Sequence, residues 1–218
     1  MKSATRVLVS TLGILMGIAG IEHGIGEILQ GNVAPAGIMF PSWPDSAFFS
    51  IVGGEPAMTI IPNLLVTGVL AILISATFLV WATLFVRRQN GGLVLILLAI
   101  AMLVAGGGIF PPILGIIIGA LGTRITAPLT WWRSHLSARP RHLLGAAWSW
   151  SFIACLMAWL LLFPGINLLG YFFGVSNPNL TVSLILFAFG SLLLTTLTGF
   201  AYDSERLPGD YLARSNNG

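Results

Sequence analysis

Charged side chains are scarce in this sequence. Asp, Glu, Lys and Arg make up only 8% of its 218 residues, whereas soluble domains carry about 25%. Hydrophobic residues make up 56%. A soluble domain of this length has too little interior to hide so much apolar surface, so lipid must surround most of the chain. The composition therefore predicts an integral membrane protein.

Cysteine and the common catalytic motifs are also nearly absent. Cys155 is the single cysteine, which excludes an internal disulfide and a cysteine-based zinc site. The sequence has no Walker loop, no Gly-x-Ser-x-Gly turn, no HExxH pair and no dinucleotide fingerprint. No two histidines suit a haem held between helices. The absence of these motifs leads us to predict no cofactor and no metal site. We also predict no nucleic-acid partner, because membrane topology explains the net charge of +3.

The apolar runs predict an all-α membrane bundle with no soluble domain. A spanning helix needs about 20 apolar residues, and residues 1–202 are predicted to form a single helical domain followed by a short polar tail, 203–218. The six predicted segments are 7–29, 58–86, 92–108, 111–126, 143–163 and 180–202.

The first segment has an alternative interpretation as a cleaved signal peptide. Lys2 and Arg6 would form its basic start, 7–16 its apolar core and 17–19 its small-residue cleavage site. The apolar stretch continues to Leu29, which favours a helix that is retained.

The run 92–126 is either one helix or a hairpin, because "GGGIFPP" interrupts it. A single helix would carry the following arginine-rich loop to the outer side, against the positive-inside tendency. A hairpin returns the chain to the inner side and places a proline in the first turn of a helix, where the missing N–H costs nothing. We favour the hairpin, which either spans thinly or is re-entrant. Its predicted turn residues are Gly106, Gly107, Gly108, Pro111 and Pro112.

The distribution of charge predicts the orientation. No Lys or Arg lies between Arg6 and Arg87 or between Arg141 and Arg206. The predicted outer segments contain four acids, whereas the inner segments contain all ten Lys and Arg and three acids, a net charge of +7. We therefore predict three in–out–in hairpins with both termini cytoplasmic. The four outer acids are Glu22, Glu27, Asp45 and Glu55.

Two faces of the first helix carry unusual residues. At 100° per residue, a face of small residues is predicted to pack closely on another helix; its members are Gly13, Gly17, Gly20 and Gly24. A polar stripe of His23, Glu27 and Gln30 runs beside that face, and Glu22 points nearly the opposite way.

This polar stripe is the predicted site, and it has two interpretations. Ionisable groups at membrane depth usually face protein or a water-filled cavity, so His23 and Glu27 would act together on a proton or a cation at an acidic outer mouth. Alternatively, Glu27 has reached the outer interface and is only a wetted helix end.

The arginine-rich inner loop is a candidate contact for anionic lipid, at roughly 1 kcal/mol for each basic residue near the surface. Its four candidate residues are Arg124, Arg133, Arg139 and Arg141. Besides the bilayer, the predicted partners are a second copy of the chain or another membrane protein.

Three classes of function remain. The favoured class is a small transporter-like or channel-like protein. The alternatives are a non-catalytic accessory or assembly partner of a membrane complex, and an intramembrane lipid-modifying enzyme. We favour a protein that is not an enzyme. The segment order and the GGG-x-x-PP hairpin resemble small prokaryotic membrane proteins, which implies the cytoplasmic (inner) membrane; no functional residue is carried over from this resemblance.

Overall fold

The computed structural model describes residues 3–175 and 177–206. Over these residues the protein is predominantly helical, in agreement with the predicted all-α class. The helices are α1 (Ala4–Gln30), α2 (Leu64–Val80), α3 (Gly91–Val104), α4 (Phe110–Gly122), α5 (Thr130–His135), α6 (Ala138–Leu160), α7 (Ile166–Phe173) and α8 (Pro178–Arg206). Two π-helical turns, Trp81–Phe85 and Leu161–Gly165, follow α2 and α6.

Four helical stretches within the described residues are long and apolar enough to cross a membrane: Ala4–Gln30, Leu64–Phe85, Ala138–Phe173 and Pro178–Arg206. This agrees with the membrane class predicted from composition. Helices α3 and α4 have 14 and 13 residues, so each is about 20 Å long. That length is less than the roughly 30 Å of a bilayer's apolar core.

Several helix boundaries differ from the predicted segments: α6 starts at Ala138 rather than at 143, and α4 ends at Gly122 rather than at 126. The second helix starts at Leu64 rather than at 58, because Asn63 caps it by accepting a hydrogen bond from the Val66 backbone N–H. Helix α8 continues to Arg206 and therefore includes the start of the predicted tail, 203–218. The rest of that tail, 207–218, lies outside the described residues.

The described residues also contain a small β-hairpin that the sequence analysis did not predict. Strands β1 (Met39–Pro41) and β2 (Pro56–Met58) pair antiparallel, with Phe40 opposite Ala57. A single 3₁₀ turn, Ser50–Val52, lies between them. Strands of three residues that contain proline give no detectable period-2 pattern, so the sequence offered no signal for them.

The described residues form two compact units. The larger unit comprises 9–123 and 164–175. In this unit the glycine face of α1 lies against α2. A Cβ atom added at Gly17 would lie 2.6 Å from the Leu79 Cβ, and one added at Gly24 would lie 2.6 Å from the Gly68 carbonyl oxygen. Helices α3 and α4 pack on each other as the two arms of a hairpin.

The smaller unit comprises 3–8, 124–163 and 177–206. Helix α6 packs along α8 in this unit. Hydroxyl groups bridge the two helices: the Ser151 and Thr198 side-chain oxygens are 2.7 Å apart, and Thr195 donates to the Ser151 carbonyl at 2.8 Å.

The smaller unit also holds the amino end of α1. Asp203 of α8 is only 4% exposed, and its carboxylate accepts hydrogen bonds from the Ala4 and Thr5 backbone N–H groups and from the Ser3 and Thr5 hydroxyls. A side chain almost 200 positions away thus caps the first helix, where a carboxylate is favoured by the helix dipole.

Candidate functional site

His23 is the buried centre of a group of polar side chains in the larger unit. It is 2% exposed, and its Nδ1 lies 2.9 Å from the Ala19 carbonyl oxygen, one turn earlier in α1. A carbonyl oxygen only accepts, so Nδ1 carries a proton. The same nitrogen lies 3.1 Å from a Glu22 carboxylate oxygen. These contacts leave Nε2 as the ring nitrogen that faces other groups.

Glu55 faces that nitrogen from the loop between β1 and β2. Its Oε2 lies 3.8 Å from His23 Nε2, and its Oε1 accepts a hydrogen bond of 3.1 Å from the Asn167 side chain of α7. Burial raises the pKa of the Glu55 carboxyl, and His23 and Asn167 offset part of that rise. The imidazole and the carboxylate therefore face each other across this contact.

The backbone at Glu55 is strained. Its φ is +56°, in the left-handed region, directly after Gly53 and Gly54 at +70° and +80°. A residue with a Cβ in this region costs roughly 1–2 kcal/mol. Such outliers persist where the surroundings over-determine them, and they concentrate at functional sites. Here the Ser42 N–H bond to the Glu55 carbonyl at 2.9 Å and the Asn167 bond hold the residue in place.

Glu27 is the fully buried acid of α1. It is 0% exposed, and neither carboxylate oxygen has a hydrogen-bond partner. The interpretation of Glu27 as a wetted helix end is therefore wrong, because the side chain lies inside protein. Against it lies Gly106, at a point where a Cβ atom would collide with both carboxylate oxygens and with the Thr67 methyl group.

The α3–α4 turn closes over His23 and Glu27 of α1. Gly106 and Gly108 have φ of +92° and +84°, which glycine adopts at no steric cost. A Cβ atom at Gly108 would lie 2.6 Å from His23 Nε2. At each of these two positions, both the backbone conformation and the close contact with α1 therefore favour glycine. The sequence indicated the polar stripe and the turn separately, and the structure brings them together.

The remaining predicted turn residues lie at the start of the second arm. Pro111 and Pro112 occupy the first turn of α4, where their missing N–H groups are not needed. Gly107 lies between the two left-handed glycines, and its N–H donates to the Met102 carbonyl at 2.8 Å, which closes the end of α3.

The predicted pairing of His23 with Glu27 is corrected. Among the described residues, the acids within ion-pair distance of His23 are Glu22 and Glu55. The prediction from 100° per residue assumed that side chains point straight out from the helix axis, whereas helical side chains tilt toward the amino end. Glu22 reaches its sequence neighbour in this way, and Glu55 arrives from a loop. Gln30 lies apart from this group and donates to the Pro41 and Ser42 carbonyls.

Sequence reasoning did not single out two contributors to the site, Glu55 and Asn167. A signal existed for each of them. A carboxylate directly after Gly-Gly marks an unusual backbone, and an asparagine in the apolar stretch "INLLGYFF" requires a partner when buried. Neither signal identifies the other residue, because 112 positions separate them.

The candidate lipid contacts lie in the smaller unit. Arg124 lines a cavity of 390 Å³ together with Trp131, Trp132 and Phe200. Arg133 lies in α5 and donates to the Pro128 carbonyl, and Arg139 and Arg141 lie at the start of α6. Anionic lipid at these residues stays a prediction.

Within the described ranges, no group of three or more His, Cys, Asp or Glu side chains is arranged to hold a metal ion. Compared with family models, with curated proteins and with solved structures, the chain shows no match. The function must therefore be argued from the site itself.

Proposed function

We propose that the protein is a small transporter-like or channel-like membrane protein that handles protons or small cations at the outer end of α1. The observation that carries this proposal is the fully buried Glu27 carboxylate, whose two oxygens have no hydrogen-bond partner. An ionised carboxylate buried without a partner costs several kcal/mol. That cost is removed by a proton on the carboxyl group or by a cation beside it, so the site is suited to exchange one of these.

The neighbouring groups support the same function. His23, Glu22 and Glu55 form a continuous row of proton acceptors and donors next to the α3–α4 turn. The stretch of chain between Arg6 and Arg87, which supplies all four acids, contains no Lys or Arg. An acidic, buried site of this kind attracts cations and repels anions.

We further propose that the chain forms six membrane segments in three in–out–in hairpins in a cytoplasmic (inner) membrane, with both termini inside. The asymmetry of Lys and Arg supports this orientation. The hairpin of α3 and α4 supports it as well, because it returns the chain to the side from which it came.

Cysteine labelling tests the orientation. In a Cys155→Ala background, Ala36→Cys should react with an impermeant thiol reagent applied from outside, whereas Gln89→Cys should react only after the membrane is permeabilised. Both positions are exposed, so the side of the membrane on which each cysteine lies decides whether the reagent reaches it. Labelling of Gln89→Cys from outside in intact cells would contradict the orientation.

Flux through purified protein in liposomes tests the function. With a pH-sensitive or Na⁺-sensitive dye inside, an imposed gradient should produce flux that Glu27→Gln reduces to the rate of protein-free liposomes, because the amide neither exchanges a proton nor balances a cation. The matched control is Asp45→Asn, which makes the same charge change at an exposed outer acid and should leave the flux unchanged. Equal flux from wild type and Glu27→Gln, or no flux from either, would refute the proposal.

One observation favours a second candidate, an intramembrane lipid-modifying enzyme. His23 and Glu55 converge from separate segments, as a general acid and base must. An accessory or assembly partner, by contrast, gives these side chains no task, and substitutions at His23, Glu27 and Glu55 would then be silent.

A further inference from the structure

We propose that a cavity in the smaller unit binds the headgroup of one anionic phospholipid molecule, and that Arg124 recognises its phosphate. The sequence indicated four arginines of the inner loop as equal candidates, whereas one of them, Arg124, lines this cavity. The site involves neither Glu27 nor His23, so it is independent of the proposed transport function.

The cavity has a volume of 390 Å³ and an amphipathic lining. Arg124 and Thr130 supply polar groups, and the rings of Trp131, Trp132 and Phe200 supply an aromatic wall. These rings pack on one another, since the centroid of Trp132 lies 5.7 Å from that of Trp131 and 6.1 Å from that of Phe200. Sites for small molecules have volumes of roughly 300–1,000 Å³. The cavity therefore accommodates a headgroup, and the two acyl chains of the lipid stay in the bilayer.

The charge of Arg124 lacks a counter-ion in the described part of the chain. All ion pairs within residues 3–175 and 177–206 involve a histidine, and no acid is among the described residues that line the cavity. The two acids in the described part of the smaller unit are engaged elsewhere: Asp203 caps α1, and Glu205 contacts His142. A phosphodiester group supplies the missing negative charge in the bidentate geometry that suits a guanidinium group.

The loop that lines the cavity is held in place by its own hydrogen bonds. The Arg133 side chain donates to the Pro128 carbonyl, and the Ala127 N–H donates to the Arg124 carbonyl at 3.1 Å. Arg133 is therefore a positioning residue that fastens the wall of the cavity, whereas the Arg124 side chain is left to bind a ligand.

The position of the cavity favours a lipid over a free phosphate ion. Phe200 belongs to α8, which is long and apolar enough to cross a membrane, and it lies six residues, or about 9 Å, before the carboxyl end of that helix at Arg206. Trp131 is 58% exposed, and tryptophan concentrates at the level of the lipid headgroups. Basic pockets beside membrane helices on the inner side, where the proposed orientation places this loop, are a common setting for anionic headgroups.

Native mass spectrometry of the full chain in detergent tests the site, with phosphatidylglycerol as the probe and phosphatidylcholine of the same acyl chains as the zwitterionic comparison. We expect one phosphatidylglycerol molecule to bind more tightly than any phosphatidylcholine molecule, because the cavity holds one unpaired positive charge. Arg124→Gln should weaken this first binding about tenfold or more. Arg124→Lys should give an intermediate affinity, since lysine keeps the charge but not the bidentate geometry.

Arg139→Gln is the matched control. It makes the same charge change at an exposed arginine at the start of α6, outside the cavity lining, and should leave the first binding unchanged. Equal weakening by Arg124→Gln and Arg139→Gln would overturn the site, because the whole basic loop would then attract anionic lipid. Equal binding of the two lipids to wild type would overturn recognition of the phosphate charge by Arg124.

Competition separates a lipid from a free anion. A large excess of inorganic phosphate or glycerol 3-phosphate should not displace the first phosphatidylglycerol molecule, because neither anion has an apolar part to contact the aromatic wall. Displacement by either anion would overturn the assignment to a lipid. If Arg124→Gln does not fold, Arg124→Lys decides, and a first binding equal to that of wild type would then overturn the role of Arg124.

Discussion

Asp203→Ala is expected to destabilise the protein by about 4 kcal/mol or more, since four donors at the start of α1 would lose their acceptor and a buried unpaired donor costs about 1–3 kcal/mol. Those donors are two backbone N–H groups and two hydroxyls, and three of the four bonds are fully buried.

The size of this effect is measured by thermal or denaturant unfolding in detergent. Asp203→Asn should fall between wild type and Asp203→Ala, because the amide oxygen still accepts but carries no charge. Glu205→Ala is the matched control: it removes an acid two positions away, whose contact is the exposed His142, and surface ion pairs contribute little. If Asp203→Ala and Glu205→Ala unfold alike, Asp203 does not cap α1.

Gly17→Leu is expected to have the second large effect, a loss of about 1–3 kcal/mol from overpacking. A Cβ atom at Gly17 would lie 2.6 Å from the Leu79 Cβ, 3.3 Å from the Leu79 Cα and 3.1 Å from the Ser75 carbonyl oxygen. Two of these three atoms belong to the backbone of α2. The overlap is therefore relieved by moving the two helices apart, because rotating a side chain does not remove it.

Ile18→Leu is the control for this substitution. Ile18 is 54% exposed and lies off the glycine face, so a change of branching there should cost almost nothing. The measurement is again the unfolding midpoint in detergent, supported by the fraction of monodisperse protein after purification. Similar midpoints for Gly17→Leu and Ile18→Leu would show that α1 and α2 do not pack through the glycine face.

Features that depend on short stretches of sequence were predictable. The apolar runs follow from the thickness of a bilayer, and the faces of α1 follow from 100° per residue. The break at Gly106–Gly108 and the prolines of α4 follow from what each residue does to the backbone. These signals need no knowledge of which segments meet.

Features that depend on distant segments were not predictable. The Asn167–Glu55 bond joins residues 112 positions apart, and the Asp203 cap joins residues about 199 positions apart. A single sequence carries no information about such pairings. The partner of His23 was mispredicted for a related reason, because the fold of a loop decides which acid reaches its Nε2.

The two left-handed glycines of the α3–α4 turn have a consequence for the gene. Every missense change in a glycine codon introduces a Cβ atom, and at Gly106 and Gly108 that atom meets a carboxylate or an imidazole in a backbone conformation it disfavours. These two codons therefore have no neutral amino-acid replacement. A library that randomises residues 105–109 and selects for folded protein should return glycine at both positions, whatever variety it accepts at Ala105 and Ile109.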